Sequence, residues 1–161
     1  MIRQLLHKYI TRDAALLVSK LFDERSFYPS FMDDLKRCKK SVIIESPYMT
    51  TRRVAMLVPI LKKLVERGVK VTINTRFPGH HDELLRIQAY MATKALKQIG
   101  ARVVYFNDYS HRKIAVLDNH ILWEGSLNIL SQRKSREIMR RVESEALTKQ
   151  MIRFSRLGQS F

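Results

Sequence analysis

The chain has 161 residues, 45% of them hydrophobic, with five Gly, four Pro and one Cys. That is the length of one ordinary domain with enough apolar material for a core, and the composition excludes a disordered, fibrous or disulfide-framed chain. Thirty Lys and Arg against fifteen Asp and Glu leave a net charge of +15, an excess that attracts polyanions and points to nucleic acid or an anionic membrane surface.

The first stretch, MIRQLLHKYITRDAALLVSKLF, holds no continuous apolar run, so neither a membrane span nor a signal peptide is expected. It reads as one or two amphipathic helices, with Leu5, Leu6, Tyr9 and Ile10 on one face and Leu17, Val18 and Leu21 on another. Pro29 opens a helix through Leu35 that ends in the basic run Lys36 to Lys40, suited to the negative end of a helix dipole. Cys38 lies in that run; its neighbours favour a lowered pKa, its position a half-buried structural thiol. A lone Cys also fits a reducing, cytoplasmic setting.

Val42 to Ile44 is a buried-type strand broken by Ser46-Pro47. Apolar residues from Val54 to Val65 repeat at helical spacing over Arg52 to Arg67, with Pro59 a kink or a second start and Gly68 the C-terminal cap. Val69 to Ile73 is the next strand, Pro78-Gly79 a turn, and Asp82 the N-cap of a helix to about Ile99 that Gly100 stops. In that helix Met91 is read as packing. Val103 to Phe106 is a strand. Ile114 to Leu117 and Ile121 to Trp123 flank the turn Asp118-Asn119, Ile138 to Val142 adds a strand, and a basic helix covers Leu147 to Phe154. The order predicts an α/β domain with a mixed sheet and helices on both faces. Residues 1–161 are expected to be one domain: a helical extension over 1–26, a core over 27–145 and a basic C-terminal helix over 146–161.

The chemistry concentrates in Ser110-His-Arg-Lys-Ile-Ala-Val-Leu-Asp118. His111 and Lys113 lie two apart at a strand start, so imidazole and ammonium project together. Gly125-Ser126-Leu127-Asn128 follows; Gly125 permits close backbone approach, and Ser126 and Asn128 offer hydrogen bonds to an anion. Together these residues read as an oxyanion site for phosphate: His111 is expected to act as nucleophile or as acid and base, and Lys113 to stabilise phosphoryl oxygens, an effect worth about 3 kcal/mol in comparable sites. Arg76, Arg112 and Arg133 are candidate phosphate contacts, with Arg52, Arg53, Lys134 and Arg136 beside them; Tyr48, Phe77 and Tyr109 are candidate stacking platforms. His80-His81-Asp82 lacks a spaced third ligand and reads as a helix-start loop, so no metal and no cofactor are expected.

His-x-Lys, four residues, Asp, six residues, Gly-Ser-x-Asn matches the signature of the phospholipase D superfamily at every defined position, and the chain resembles that family over roughly residues 27 to 145. The segments FYPSFMDDLKRCKKSVIIESPYMT and ERGVKVTINTR resemble its helix–strand units; the Gly-Ser-x-Asn region is similar to phospholipase D-like domains appended to some DNA helicases. The resemblance implies that His111 attacks phosphorus to form a phosphohistidine without a metal, that Lys113 and Asn128 bind phosphate oxygens with Ser126 lining the site, and that Asp118 acts indirectly. Glu137, with Glu143 as runner-up, is the carboxylate expected to orient the histidine. A second motif histidine is required, and the other histidines, His7, His80, His81 and His120, lack the motif. A homodimer that shares one site supplies it, or another protein such as a helicase or repair partner completes a half-site. The leading expectation is a metal-independent nuclease, on DNA rather than RNA. The alternatives are a dormant nucleic-acid-binding module of a helicase, repair or restriction assembly, and a phospholipase on anionic lipid.

Overall fold

The computed structural model describes residues 18–106 and 108–157, together with Ala14. Seven strands form one sheet: β1 (Lys20–Asp23), β2 (Ser41–Glu45), β3 (Lys70–Arg76), β4 (Arg102–Phe106), β5 (Ile114–Leu117), β6 (Ile121–Gly125) and β7 (Ile138–Glu143). Their order across the sheet is β1-β7-β6-β5-β2-β3-β4. The pairs β2–β3 and β3–β4 are parallel and every other pair is antiparallel. The described helices are α1 (Phe27–Arg37), α2 (Thr51–Glu66), α3 (Glu83–Gln98) and α4 (Glu145–Ser155).

The parallel half follows from helical crossovers with well-marked ends. Thr50, Asp82 and Ser144 cap α2, α3 and α4 by accepting from the backbone N–H three residues on. Gly68 after α2 has φ +82°, and the Gly68 and Val69 N–H groups return to the Val65 and Leu64 carbonyls, which lets the chain reverse directly into β3. Alternation along the strands divides the core. Val42, Ile44 and Ile73 pack with Phe27, Phe31 and Leu57 on one face, whereas Val116, Leu122 and Val142 meet Leu147, Met151 and Ile152 of α4 on the other. Helices therefore cover both faces, as the sequence pattern predicts.

Two polar clamps hold the antiparallel half. Asp34 of α1 is buried; it accepts from Arg141 Nε at 2.6 Å, Arg37 Nη2 at 2.7 Å and Trp123 Nε1 at 3.0 Å, tying the helix to β6 and β7. Asp118, at the β5–β6 turn with φ +53°, accepts from the backbone N–H groups of Lys39, Lys40 and Ser41 at 2.7–2.9 Å and fastens that turn to the start of β2.

Four sequence expectations change. Lys20–Asp23 is a strand rather than helix, because pairing with β7 (Lys20↔Arg141 to Asp23↔Ile138) and the contact of Phe22 with Trp123 (4.8 Å) override the local helical pattern. The remainder of the expected N-terminal helices lies outside the described residues. α2 runs through Pro59 as one helix. The C-terminal helix ends at Ser155, where Arg156 turns left-handed (φ 51°), and Met91 is exposed rather than packed. Cys38 keeps the structural role that the sequence favours: it is buried, and burial, reinforced by Asp118 and Asp34, pushes its thiol up to about 12.

Burial alone would raise the Asp34 and Asp118 pKa values, but their hydrogen bonds hold both below the usual carboxylate range. Such groups stabilise the fold fully above the unfolded value of about 4 and lose that contribution as pH falls through the depressed folded value. Urea denaturation at descending pH is expected to show a falling midpoint below about pH 4. The Asp118→Asn variant should start lower and depend less on pH; an unchanged slope would remove Asp118 from this account.

Candidate active site

The site forms where β2 and β3 end and β5 begins. Glu45 closes β2 with a buried carboxylate (1% exposed) that accepts from Arg112 Nε at 2.7 Å and Ser110 Oγ at 2.9 Å. Arg112 also donates to the Ser155 carbonyl at 3.2 Å. These bonds fix the extended segment before β5, which begins one residue after the motif rather than at it. Arg112 is thereby held by Glu45 and α4.

His111 and Lys113 come together on this segment. His111 is exposed and Lys113 is 6% exposed, its ammonium 2.5 Å from His111 Nδ1 and donating to the His111 carbonyl. Burial lowers the His111 pKa, and the charges of Lys113 and Arg76 lower it further. Lys113 is also lowered, by burial first; Glu137 opposes that shift and Arg76 adds to it. Both groups are thus drawn toward neutral forms in a field of excess positive charge.

The Gly-Ser-x-Asn segment lies alongside. Gly125 ends β6 at a place where a Cβ would stand 2.1 Å from the Ile138 carbonyl oxygen, so only glycine lets β6 approach β7 this closely. Ser126 accepts from the Ile138 N–H at 3.1 Å, and its own N–H donates to the Ile138 carbonyl at 2.9 Å. The Asn128 carbonyl accepts from Ser131 and Gln132, while its side-chain Oδ1 is buried without a partner among the described residues. Ser46 Oγ accepts from the Leu130 N–H at 3.3 Å, and the Thr50 N–H donates to the Leu130 carbonyl at 2.9 Å; this binds the Tyr48 loop to the Asn128 segment.

Arg76 ends β3, its guanidinium 5.4 Å from the Tyr48 ring centroid and its Nε buried and unpartnered among the described residues. Tyr48 in turn contacts His111, with ring centroids 5.7 Å apart. Arg133 is exposed beside a groove of about 600 Å³ that Arg52 and Lys134 also line. Arg53 is held by the Gln132 carbonyl at 2.7 Å and the Tyr28 ring, Phe77 packs on His80 and Tyr105, and Tyr109 is fully open to solvent.

The carboxylates divide. Glu137 is close enough to raise Lys113, but it accepts from Ser135 Oγ at 2.8 Å and makes no bond to the His111 imidazole. Glu143 pairs with Arg141 at 2.7 Å at the far end of β7, and Asp118 sits at the far end of β5 as a backbone clamp. Sequence reasoning missed Glu45, whose signal was a carboxylate closing an apolar strand; His81, read there as part of a helix-start loop, packs on the Tyr48 ring. The described residues contain no three-ligand cluster for a metal ion and no helix long and apolar enough to cross a membrane.

Fold and site together define an α/β domain built for phosphodiester chemistry. A family model described as cardiolipin synthase, PLD-like domain, matches residues 31–157, and the chain belongs to the phospholipase D superfamily. It is similar in fold to Nuc of Salmonella typhimurium, a phospholipase D family member (TM-score 0.71, 16% identity, 84% of this chain and 90% of that one). It is also similar to NucT of Helicobacter pylori (TM-score 0.67, 20% identity, 84% and 91%). Phosphatidylserine synthase of Haemophilus influenzae Rd KW20 shares the fold over 84% of this chain and 37% of its own (TM-score 0.64, 16% identity). Among curated proteins no sequence matches significantly.

Two outcomes follow from this geometry. Gly125→Ala forces β6 and β7 apart, which should lower stability by roughly 1–3 kcal/mol in thermal unfolding and displace Ser126 and Asn128; an unperturbed melting curve contradicts the close approach. In an NMR titration His111 should change charge below the ordinary value of about 6.5, and Arg76→Ala should move that midpoint upward.

Proposed function

We propose that this chain is a nuclease of the phosphodiesterase type, acting on DNA rather than RNA through a phosphohistidine and as a homodimer that shares one site. The observation that carries the reading is the His111–Lys113 pair in the field of Arg76, with no carboxylate bonded to either member among the described residues. The net charge of +15 favours a polyanionic substrate, and the exposed Arg133 groove extends positive charge away from the pair.

In this reading the scissile phosphate draws the Lys113 ammonium off Nδ1. With the ammonium gone the ring tautomerises through solvent, giving up its Nε2 proton to water and taking one on Nδ1, and the freed Nε2 lone pair attacks phosphorus. As the N–P bond forms the P–O bond to the leaving group breaks, and that oxygen takes a proton from the second imidazole, the partner copy's own motif histidine. The neutral second imidazole next accepts a proton from water; the water oxygen attacks phosphorus, the N–P bond breaks, and the electron pair returns to Nε2. Lys113 offsets negative charge on the phosphoryl oxygens, with Asn128 and Ser126 beside them and Arg76 contributing positive field at longer range. Apolar Leu21, Ile138 and Phe154, each at least 60% exposed, surround a cleft of about 420 Å³ that reaches Lys113, which supports a second copy on this side.

The test is cleavage of labelled single- and double-stranded DNA in excess EDTA, alongside RNA and anionic phospholipid vesicles. Wild type should cut DNA, and His111→Ala should reduce the rate by at least about a thousandfold. Binding without cutting by wild type would favour a dormant module or a half-site awaiting a partner, and preferential release of lipid headgroups would favour the phospholipase reading.

A further inference from the structure

His81 lies outside the motif and in no element of the mechanism above, yet its ring packs on Tyr48 with centroids 5.4 Å apart. Tyr48 is therefore a bridge between two imidazoles, His81 and His111. Two nitrogens around this bridge are buried and unpartnered among the described residues: Nε2 of His81 and Nε of Arg76. A buried guanidinium N–H without an acceptor is costly, and so is the His81 Nε2 when that nitrogen carries the ring proton. An anion accepting from both would satisfy them together. The local charges agree, because Arg76 acts on His81, His111 and Lys113 alike, and Asp82 is the carboxylate that opposes it at His81.

The surroundings extend in one direction. From Tyr48 a cleft of about 380 Å³ passes Ser131 to Arg133, and it shares Thr50, Gln88 and Arg133 with the larger groove that holds Arg52 and Lys134. A chain leaving the His111 side thus crosses Tyr48 before it meets the exposed cations.

We infer that His81, with Arg76 and across the Tyr48 ring from the catalytic pair, forms a second phosphate subsite that holds the phosphate next to the scissile one, so that the preferred substrate is a strand carrying at least two consecutive phosphates. The inference rests on the nuclease reading. Tyr48 offers its face to the nucleoside between the two phosphates. His81 works by binding the neighbouring group and takes no part in the bond exchange at phosphorus.

The experiment compares thymidine 5′-(p-nitrophenyl phosphate) with and without a 3′-phosphate, and thymidine 3′-(p-nitrophenyl phosphate) with and without a 5′-phosphate, so that either strand polarity is covered. In wild type the added phosphate of one pair should lower KM on the order of tenfold, as one charge-assisted contact warrants. His81→Phe, which keeps a ring on Tyr48, should bring that KM ratio close to one, with the kcat ratio between pair members the same as in wild type. An equal fall on both members, carried by kcat, would mean that His81 acts on the scissile group and overturns the subsite. Wild-type indifference to the added phosphate overturns it as well. Failure of wild type to cleave any of the four would instead sink the nuclease reading. In that case binding of thymidine 3′,5′-bisphosphate against either monophosphate, followed by NMR at the His81 imidazole, decides the subsite directly: a shift specific to the bisphosphate supports it and its absence refutes it.

Discussion

The buried carboxylate of Glu45 is the constraint on which the site depends. It sits at the end of the strand that joins the parallel and antiparallel halves of the sheet, and it holds Ser110 and Arg112 on the segment that carries His111 and Lys113. A carboxylate this deep is tolerable only while its partners stay in place, because a lone buried charge costs several kcal/mol. The burial that makes Glu45 demanding also makes the segment rigid. His111 and Lys113 can then meet at hydrogen-bond distance although neither belongs to a strand or a helix.

The same economy shapes the charge at the site. Arg76, Lys113 and His111 converge, and Glu137 is the carboxylate felt at Lys113 without bonding it. Folding alone would not favour such an arrangement, since like charges depress one another's ionisation. It is stable because His111 gives up its proton easily and because the fold is clamped elsewhere, by Asp34 and Asp118. Those two clamps tie Trp123, Arg141 and the backbone of residues 39–41 far from the site.

Much of this was legible in the sequence. Strand and helix order followed from apolar period and from Gly68, Asp82 and Gly100, whose roles at helix ends are local. The motif residues could be named because their chemistry and spacing are both local as well. What escaped reading was set by tertiary contacts. Lys20–Asp23 has helical periodicity and becomes a strand only because β7 offers it an edge. The ion pair of Arg112 with Glu45, 67 residues away, is likewise a tertiary contact that no local pattern announces. Asp118, read as an indirect member of the motif, accepts from the backbone of residues 39–41, and those partners too are set by tertiary structure. His81 lies in the helix-start loop that the sequence indicates, but its packing on Tyr48 is a tertiary contact that the pattern does not encode.

The pairing of β1 with β7 has a consequence for how the chain assembles and fails. It joins residues more than a hundred positions apart, so its closure entropy is large and the strand is favoured only after β5, β6 and β7 have formed a template. Until then β7 presents a bare edge whose open backbone groups run beside Ile138 and Met139, the pattern that recruits a strand from another molecule. β1 is thus a guard as much as a structural strand: chains shortened past Asp23 would emerge with a sticky margin and collect as aggregates, even though every side chain of the chemical site would still be present.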